Sequence, residues 1–237
     1  MVDIHTHILP GIDDGSGNME ESLEMARMAA EGGVGTMIAT PHCNLGGGMD
    51  NYYNSSWQRL FDRTAAAIRG EGIPLTLLPG MEVFATFDLP SLLREGKILT
   101  LNRSPYLLVE FDFEEEDDFA RAILEGLVEM GVIPVIAHAE RYHFVQDMPE
   151  IAELFLNMGC RIQVNRGSFQ GRFGPKAEQT AYELMDRGRI WAVASDAHGA
   201  RRRTPVLDEV YEELLTAYSR QQVRPLFDSN PRRVIQP

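Results

Sequence analysis

Seven short apolar runs, set apart by amphipathic stretches, limit how this chain can fold. The runs are Val2–His7, Gly35–His42, Leu75–Val83, Tyr106–Phe111, Ile133–His138, Arg161–Asn165 and Ile190–His198. Helical patterns accompany them at Met19–Glu31, Trp57–Arg69, Phe119–Met130, Glu150–Met158, Lys176–Arg187 and Val206–Arg220. Strand plus helix recurs every ~25–35 residues, the rhythm of parallel strands joined by crossover helices. In Met19–Glu31, Leu23, Met25, Ala26, Met28 and Ala29 make an apolar face, and Asn18 suits an N-cap. Gly32, Gly70, Gly131, Gly159 and Gly188 stand where helices should close. Seven such units argue for an α/β fold closed into a barrel rather than an open sheet, with residues 1–237 as one domain. Two segments break the rhythm. Leu89–Arg94 reads as a short helix started at Pro90, followed by a strand at Lys97–Leu101. Asn44–Asn54, rich in Gly, Asn and Tyr, reads as a long loop beside His42, of the kind that covers active sites.

Chemistry gathers at the ends of these runs. In a strand, residues two apart share a side, so His5 and His7 project together. His-x-His alone reads equally well as a half-exposed strand or as half of a metal site. The later runs tilt the balance. Asp13-Asp14 follows the first, and the others end in His42, Glu82, Glu110, His138, the amide Asn165, and the pair Asp196-Ala197-His198. Five of the six histidines, all but His143, fall at a predicted strand terminus. Barrel active sites are built at the C-terminal ends of strands, from several strands at once. Imidazole with carboxylate suits zinc, manganese or iron. The nine candidates His5, His7, Asp14, His42, Glu82, Glu110, His138, Asp196 and His198 are too many for one ion and fit two or three.

Composition excludes other classes. The formal charge of −13, without a basic aromatic stripe, speaks against nucleic acid and anionic membrane surfaces. The cluster 114–118 reads as an acidic helix start. No apolar run reaches membrane-spanning length and no signal-peptide pattern opens the chain, so a cytoplasmic protein is expected. Cys43 and Cys160 form no CxxC pair. Cys43 has Met49 rather than an arginine six residues on, and Cys160 opens an apolar strand rather than a glycine-rich anion nest, so both read as packing residues rather than nucleophiles.

In combination, His5-Thr6-His7, Asp14, Thr40-Pro41-His42, Glu82, Glu110, His138 and Ser195-Asp196-Ala197-His198 resemble the polymerase-and-histidinol-phosphatase (PHP) superfamily. More narrowly, the stretch from Asp3 to Gly15, Ile136-Ala137-His138-Ala139-Glu140-Arg141-Tyr142, Met158-Gly159-Cys160, Gln163-Val164-Asn165 and Asn230-Pro231-Arg232 resemble the manganese-dependent protein-tyrosine phosphatases of bacterial capsule and exopolysaccharide operons. The likeness spans essentially the whole chain and implies a distorted (β/α)7 barrel with two or three divalent ions, manganese first, iron or zinc as alternatives. It implies one ion on His5, His7, Glu82 and Asp196, a second on Glu82, Glu110 and His138, and a third on Asp14, His42 and His198. It further implies attack on phosphotyrosine by a metal-bridged hydroxide, with the tail of a tyrosine autokinase as substrate. Arg141 is implied to bind phosphate, where residue type alone permits a surface salt bridge equally. Arg201, Arg202 and Arg203 either attract an anionic substrate or form a solvated turn. His143 is a surface or cap histidine before it is a proton donor. A small-molecule phosphatase of the histidinol-phosphate type and a catalytically silent metal-binding interaction domain remain the alternatives.

Overall fold

A computed structural model describes residues 1–46 and 49–235. Its centre is a ring of parallel strands. β1 is Val2–Thr6. β2 is broken at Thr40-Pro41 into Thr36–Ala39 and His42–Cys43. β3 is broken likewise at Gly80-Met81 into Thr76–Pro79 and Glu82–Phe84. β4 (Tyr106–Glu110), β5 (Ile133–Ile136), β6 (Arg161–Asn165) and β7 (Ala192–Ala194) follow. Each strand pairs in parallel with the next in sequence. A bridge between Thr6 and Ala197, with Asp196 N–H donating to His5 O and His7 N–H to Ala197 O, joins the last unit back to β1. The expected seven-stranded (β/α) barrel is therefore what forms, with its second and third strands kinked.

The barrel interior holds a small apolar core of Val2, Ile4, Ile38, Leu108, Val135 and Ala194, floored by the stacked pair Tyr106–Trp191 and by Val234. A larger core lies between the outer strand faces and the helices. α1 (Met19–Glu31) has the expected bounds, and Asn18 accepts from Glu21 N–H at its start. α2 (Ser55–Gly70), α3 (Leu89–Arg94) and α4 (Asp117–Glu129) follow, α4 with Asp117 and Asp118 in its first turn. α5 (His143–Asp147), α6 (Ile151–Asn157), α7 (Arg166–Phe169) and α8 (Pro175–Asp186) come next. The expected helix Val206–Arg220 forms as α9 (Asp208–Ala217), and a further helix not expected from the sequence, α10 (Arg220–Phe227), follows it, opened by a capping box at Ser219 and Gln222.

Lys97–Leu101 does not form the expected strand. Its apolar residues Ile98, Leu99 and Leu101 are buried, but its backbone bonds go to a loop and a side chain: Lys97 O accepts from Tyr53 N–H and Leu99 N–H donates to Met81 Sδ. The hydrophobic pattern reported burial there, not pairing. Of the expected Asn44–Asn54 loop, Gly47 and Gly48 lie outside the described residues. The rest is irregular, apart from a bridge of Leu45 with Met49, and begins directly after His42-Cys43. Among the described residues, no helix is long and apolar enough to cross a membrane.

Candidate metal centre

The strands deliver their terminal residues to one end of the ring. His5, His7, Glu82, His138 and Asp196 are buried there, with Glu110 nearly so and Asp14 half exposed at the rim. A strict alternation along β1 would place His5 and His7 opposite Val2 and Ile4. The register with β2 slips between Asp3 and Thr6, and beyond that irregularity the imidazoles reach the same interior as the apolar residues below them. His138 and Asp196 adopt left-handed backbone, φ 33° and 50°. For non-glycine residues this costs about 1–3 kcal/mol each and is typical of functional sites. It turns both side chains inward just where their strands stop.

Glu82 is the hub. Its carboxylate oxygens lie 3.0 Å from His5 Nε2, 3.2 Å from His7 Nε2, 3.1 Å from His42 Nδ1 and 2.9 Å from His138 Nε2. Asp196 Oδ1 lies 3.3 Å from His5 Nε2 and 3.5 Å from His7 Nε2. Glu110 approaches His42 Nδ1 at 3.0 Å and His138 Nε2 at 3.7 Å. At the rim, Asp14 Oδ1 lies 3.6 Å from His42 Nε2 and 3.4 Å from His198 Nε2. Three sets have donor atoms all within 4.8 Å of one another: His7, Asp14, His42 and His198; His5, His7 and Asp196; His42, Glu82 and Glu110. Eight of the nine sequence candidates fall in these sets, and the ninth, His138, joins them through Glu82 and Glu110. The grouping differs in detail from the expected division, since His7 also reaches the rim set and His42 uses its two nitrogens toward two sets.

The donor chemistry fits divalent cations. Glu82 Oε2, Glu110 Oε1, Asp196 Oδ1, His42 Nδ1 and His198 Nε2 are buried and make no hydrogen bond within the protein. Such atoms cost free energy unless something satisfies them. Charge is arranged to match. Against the penalty of burial, His5 and His42 hold Glu82 well below the usual carboxylate range, and His5 and His7 do the same for Asp196. Burial opposes charge on His138 too, but Glu110 and Glu82 raise it to about 9. Asp13 and Glu82 likewise outweigh burial to raise His7 and His42 respectively. His198 is lowered, by burial and then by the neighbouring His7. The carboxylates stay ionised and neighbouring imidazoles gather protons in compensation, so a cation entering the cluster would displace protons.

A cavity of about 290 Å³ opens onto this cluster and is lined by His42, Glu110, Phe113, His138, Arg141 and Arg203 among others. The Arg141 guanidinium is sandwiched between Phe113 and Phe173, 4.2 and 4.3 Å from their ring centroids. Of the expected arginine trio, only Arg203 belongs to the site, where it pairs with Asp196 Oδ2. Arg201 and Arg202 are exposed and do not line this cavity, Arg201 facing instead a groove with Glu20, Glu21 and Glu24. Both stand exposed in the turn after His198. His143 lies at the start of α5 and is exposed. Burial pushes both Cys43 and Cys160 thiols up to about 12, in keeping with packing roles.

Asp13 was not singled out by sequence reasoning. Its Oδ2 sits 2.8 Å from His7 Nδ1 and accepts from His42 N–H, while Oδ1 accepts from Gly15 N–H. The adjacency Asp13-Asp14 was the available signal, but which carboxylate faces outward to the cluster and which backs an imidazole depends on the turn. Gly15 makes that turn feasible: a Cβ there would lie 2.2 Å from His7 O.

Comparison with known proteins gives a consistent result. Residues 1–236 match the family model described as capsular polysaccharide synthesis, CpsB/CapC. The chain is 37% identical over 205 residues to tyrosine-protein phosphatase YwqE of Bacillus subtilis, covering 86% of this chain and 79% of that protein. It is 29% identical over 240 residues to tyrosine-protein phosphatase CpsB of Streptococcus pneumoniae, covering 99% and 98%. A solved structure from work on YwqE and CpsB, described as metal-dependent tyrosine phosphatases, superposes with a TM-score of 0.90 at 33% identity, over 99% of this chain and 94% of that one.

Proposed function

The chain belongs to the CpsB/CapC family of capsular polysaccharide synthesis, and from that premise we propose that residues 1–237 form one metal-dependent phosphatase domain that hydrolyses phosphotyrosine in protein. The observation that carries this reading is the convergence of four imidazoles on Glu82, ringed by buried atoms without partners. In this proposal His5, His7, Glu82 and Asp196 would hold one ion, Glu82, Glu110 and His138 a second, and Asp14, His42 and His198 a third, with Glu82 common to the first two sets. Divalent ions in such a site acidify water and draw off negative charge from phosphoryl oxygens. The imidazole–carboxylate mixture suits manganese, iron or zinc, and manganese is the ion proposed.

The chain's own residues do the rest. Arg141 presents a planar fork of donors to the non-bridging phosphate oxygens, and its two flanking rings keep that fork from swinging away. Arg203 lines the same cavity and adds positive charge beside Asp196. Phe84, Phe111 and Phe113 give the cavity an apolar wall suited to a phenyl ring. Water oxygen bonds to phosphorus as the bond to the tyrosyl oxygen breaks. The leaving phenolate has a conjugate acid of pKa near 10, so no general acid is assigned. The substrate proposed is a phosphotyrosine protein, a bacterial tyrosine autokinase tail, with the hydrolysis acting in control of capsule or exopolysaccharide synthesis. The buried free thiols Cys43 and Cys160 suit the reducing cytoplasm, where the enzyme is proposed to act.

The test is hydrolysis of a phosphotyrosine peptide beside histidinol phosphate, using protein stripped by chelator and reloaded with manganese, iron or zinc. Metal-dependent release of phosphate from the peptide, lost in His5→Ala and in Arg141→Ala, is the expected result. A clear preference for histidinol phosphate overturns the substrate assignment. Metal binding without turnover of either compound overturns the enzymatic reading.

A further inference from the structure

β6 ends without an imidazole or a carboxylate. Toward the cluster it carries two amides, Gln163 and Asn165, both fully buried. Their orientations follow from a single backbone donor. The N–H of His138 can only donate, so the Gln163 atom that it meets at 2.9 Å is the carbonyl oxygen Oε1. His5 Nδ1 lies 3.1 Å from that same oxygen and must therefore carry a proton and donate. Nε2, the atom that faces Glu82 and Asp196, is then the nitrogen left to ligate an ion.

The chain of consequences continues along the strand. With Oε1 occupied, Gln163 Nε2 donates to Asn165 Oδ1 at 2.9 Å. That turns Asn165 Nδ2 toward Asp196 Oδ2, to which it donates at 2.6 Å. Arg203 donates to the same oxygen. Both donors thus engage Oδ2, and Asp196 Oδ1 is left without a donor, on the side of His5 and His7. One backbone N–H just beyond β5 thereby decides, through two amides of β6, which nitrogen His5 offers and which oxygen Asp196 offers.

We propose that Gln163 and Asn165 are positioning residues for the metal centre: they fix the His5 tautomer and the exposed oxygen of Asp196, so that an ion is held by His5 Nε2 and Asp196 Oδ1. The inference rests on the metal-site reading given above. Partners behind a ligating histidine set its tautomer and basicity, and their loss typically lowers metal affinity 10–100-fold. Gln163 is an unusual partner in that it serves two strands and passes its orientation to a third. An apolar residue of the same size would keep the packing and release all three.

The experiment is nitrogen-15 NMR of the histidine rings, on the full chain, without metal and with zinc, alongside zinc affinity from competition with a chromophoric chelator. Wild type is expected to show a protonated His5 Nδ1 in both states and a zinc-induced shift at Nε2. Gln163→Met is expected to show the second His5 tautomer in the metal-free protein and about a 10–100-fold weaker zinc affinity. Gln163→Glu keeps acceptors for His138 N–H and His5 Nδ1 but sets an oxygen against Asn165 Oδ1. It is expected to retain the His5 tautomer while losing zinc affinity, and it decides the matter should Gln163→Met fail to fold. A wild-type His5 that binds zinc through Nδ1 overturns the proposal. So does a folded Gln163→Met with unchanged tautomer and affinity, or a Gln163→Glu with unchanged affinity. No zinc-induced shift anywhere in the wild-type cluster overturns the metal-site reading itself, a result distinguishable from the others.

Discussion

Stripping the centre of metal should make the protein's stability fall as pH rises from about 6.5 to 9, opposite to the metal-loaded form. His138 sets that window, raised from its usual 6.5 to about 9 by Glu110 and Glu82 against the cost of burial. A raised folded-state pKa means that the native protein binds the proton more tightly than the unfolded chain. Its stabilisation is fully present below 6.5 and is lost as pH climbs through 9. A difference of that size corresponds to roughly 3 kcal/mol, with the His138–Glu82 pair counted once. His7 and His42 are raised as well and act in the same direction. Asp3, which burial raises to about 6, loses its contribution at the lower edge of the window. The depressed groups Glu82, Asp13, Asp14 and Asp196 change only in acid, and His198, lowered below 6.5, changes only beneath the window. For a chain of this length a loss of that size lowers Tm by about 6–12 °C. Calorimetry or circular dichroism of chelator-stripped protein at intervals from pH 6 to 9.5 measures it. The metal-loaded protein should diverge upward over the same range, because protons no longer compete for the imidazoles. A metal-free Tm that is flat or rises between pH 6.5 and 9 would refute this account of the cluster's charge.

Four further outcomes are expected. Asp13→Asn keeps the size of the side chain but puts an NH2 group where three N–H donors converge. Metal affinity should fall about 10–100-fold, read by titration against a competing chelator. Gly15→Ala cannot place its Cβ without moving the His7 backbone, so metal content measured by mass spectrometry should drop sharply even in folded protein. Arg141→Lys retains the charge but loses both the fork and the stacking between Phe113 and Phe173. Its kcat/KM on a phosphotyrosine peptide should fall roughly 10–100-fold while metal content stays at wild-type level. Cys43→Ser and Cys160→Ser should keep turnover within about twofold of wild type, since neither thiol ionises near neutral pH; a large loss in the rate per folded molecule would point to thiol chemistry.

Much of the architecture is legible in the sequence because strand and helix periods are local. The alternation of apolar runs with amphipathic helices is enough to give the seven-stranded parallel ring, and α1 with its Asn18 cap follows from its own residues. The nine candidate ligands are legible for a related reason. Chain connectivity puts each at the end of its own strand, and parallel pairing brings all such ends to one rim. Their residue types then select the chemistry without reference to exact distances.

Tertiary structure decides what depends on directions rather than positions. Lys97–Leu101 has the apolar character of a strand, but its backbone bonds go to Tyr53 N–H and Met81 Sδ, so it is buried without pairing to a strand. Arg203 enters the site while Arg201 and Arg202 pass it by, a distinction made by a turn and not by residue type. Asp13 backs an imidazole where its neighbour Asp14 faces the rim. His5 and His7 reach the interior through a slip in register that no alternation rule contains. The roles of Gln163 and Asn165 are decided in the same way, because an amide has no preferred orientation until a backbone N–H from another strand supplies one. Residue type and order determine which groups arrive at the rim, since those are properties of the chain itself. Which atom each group presents depends on hydrogen bonds between strands far apart in sequence, and those exist only once the barrel has closed.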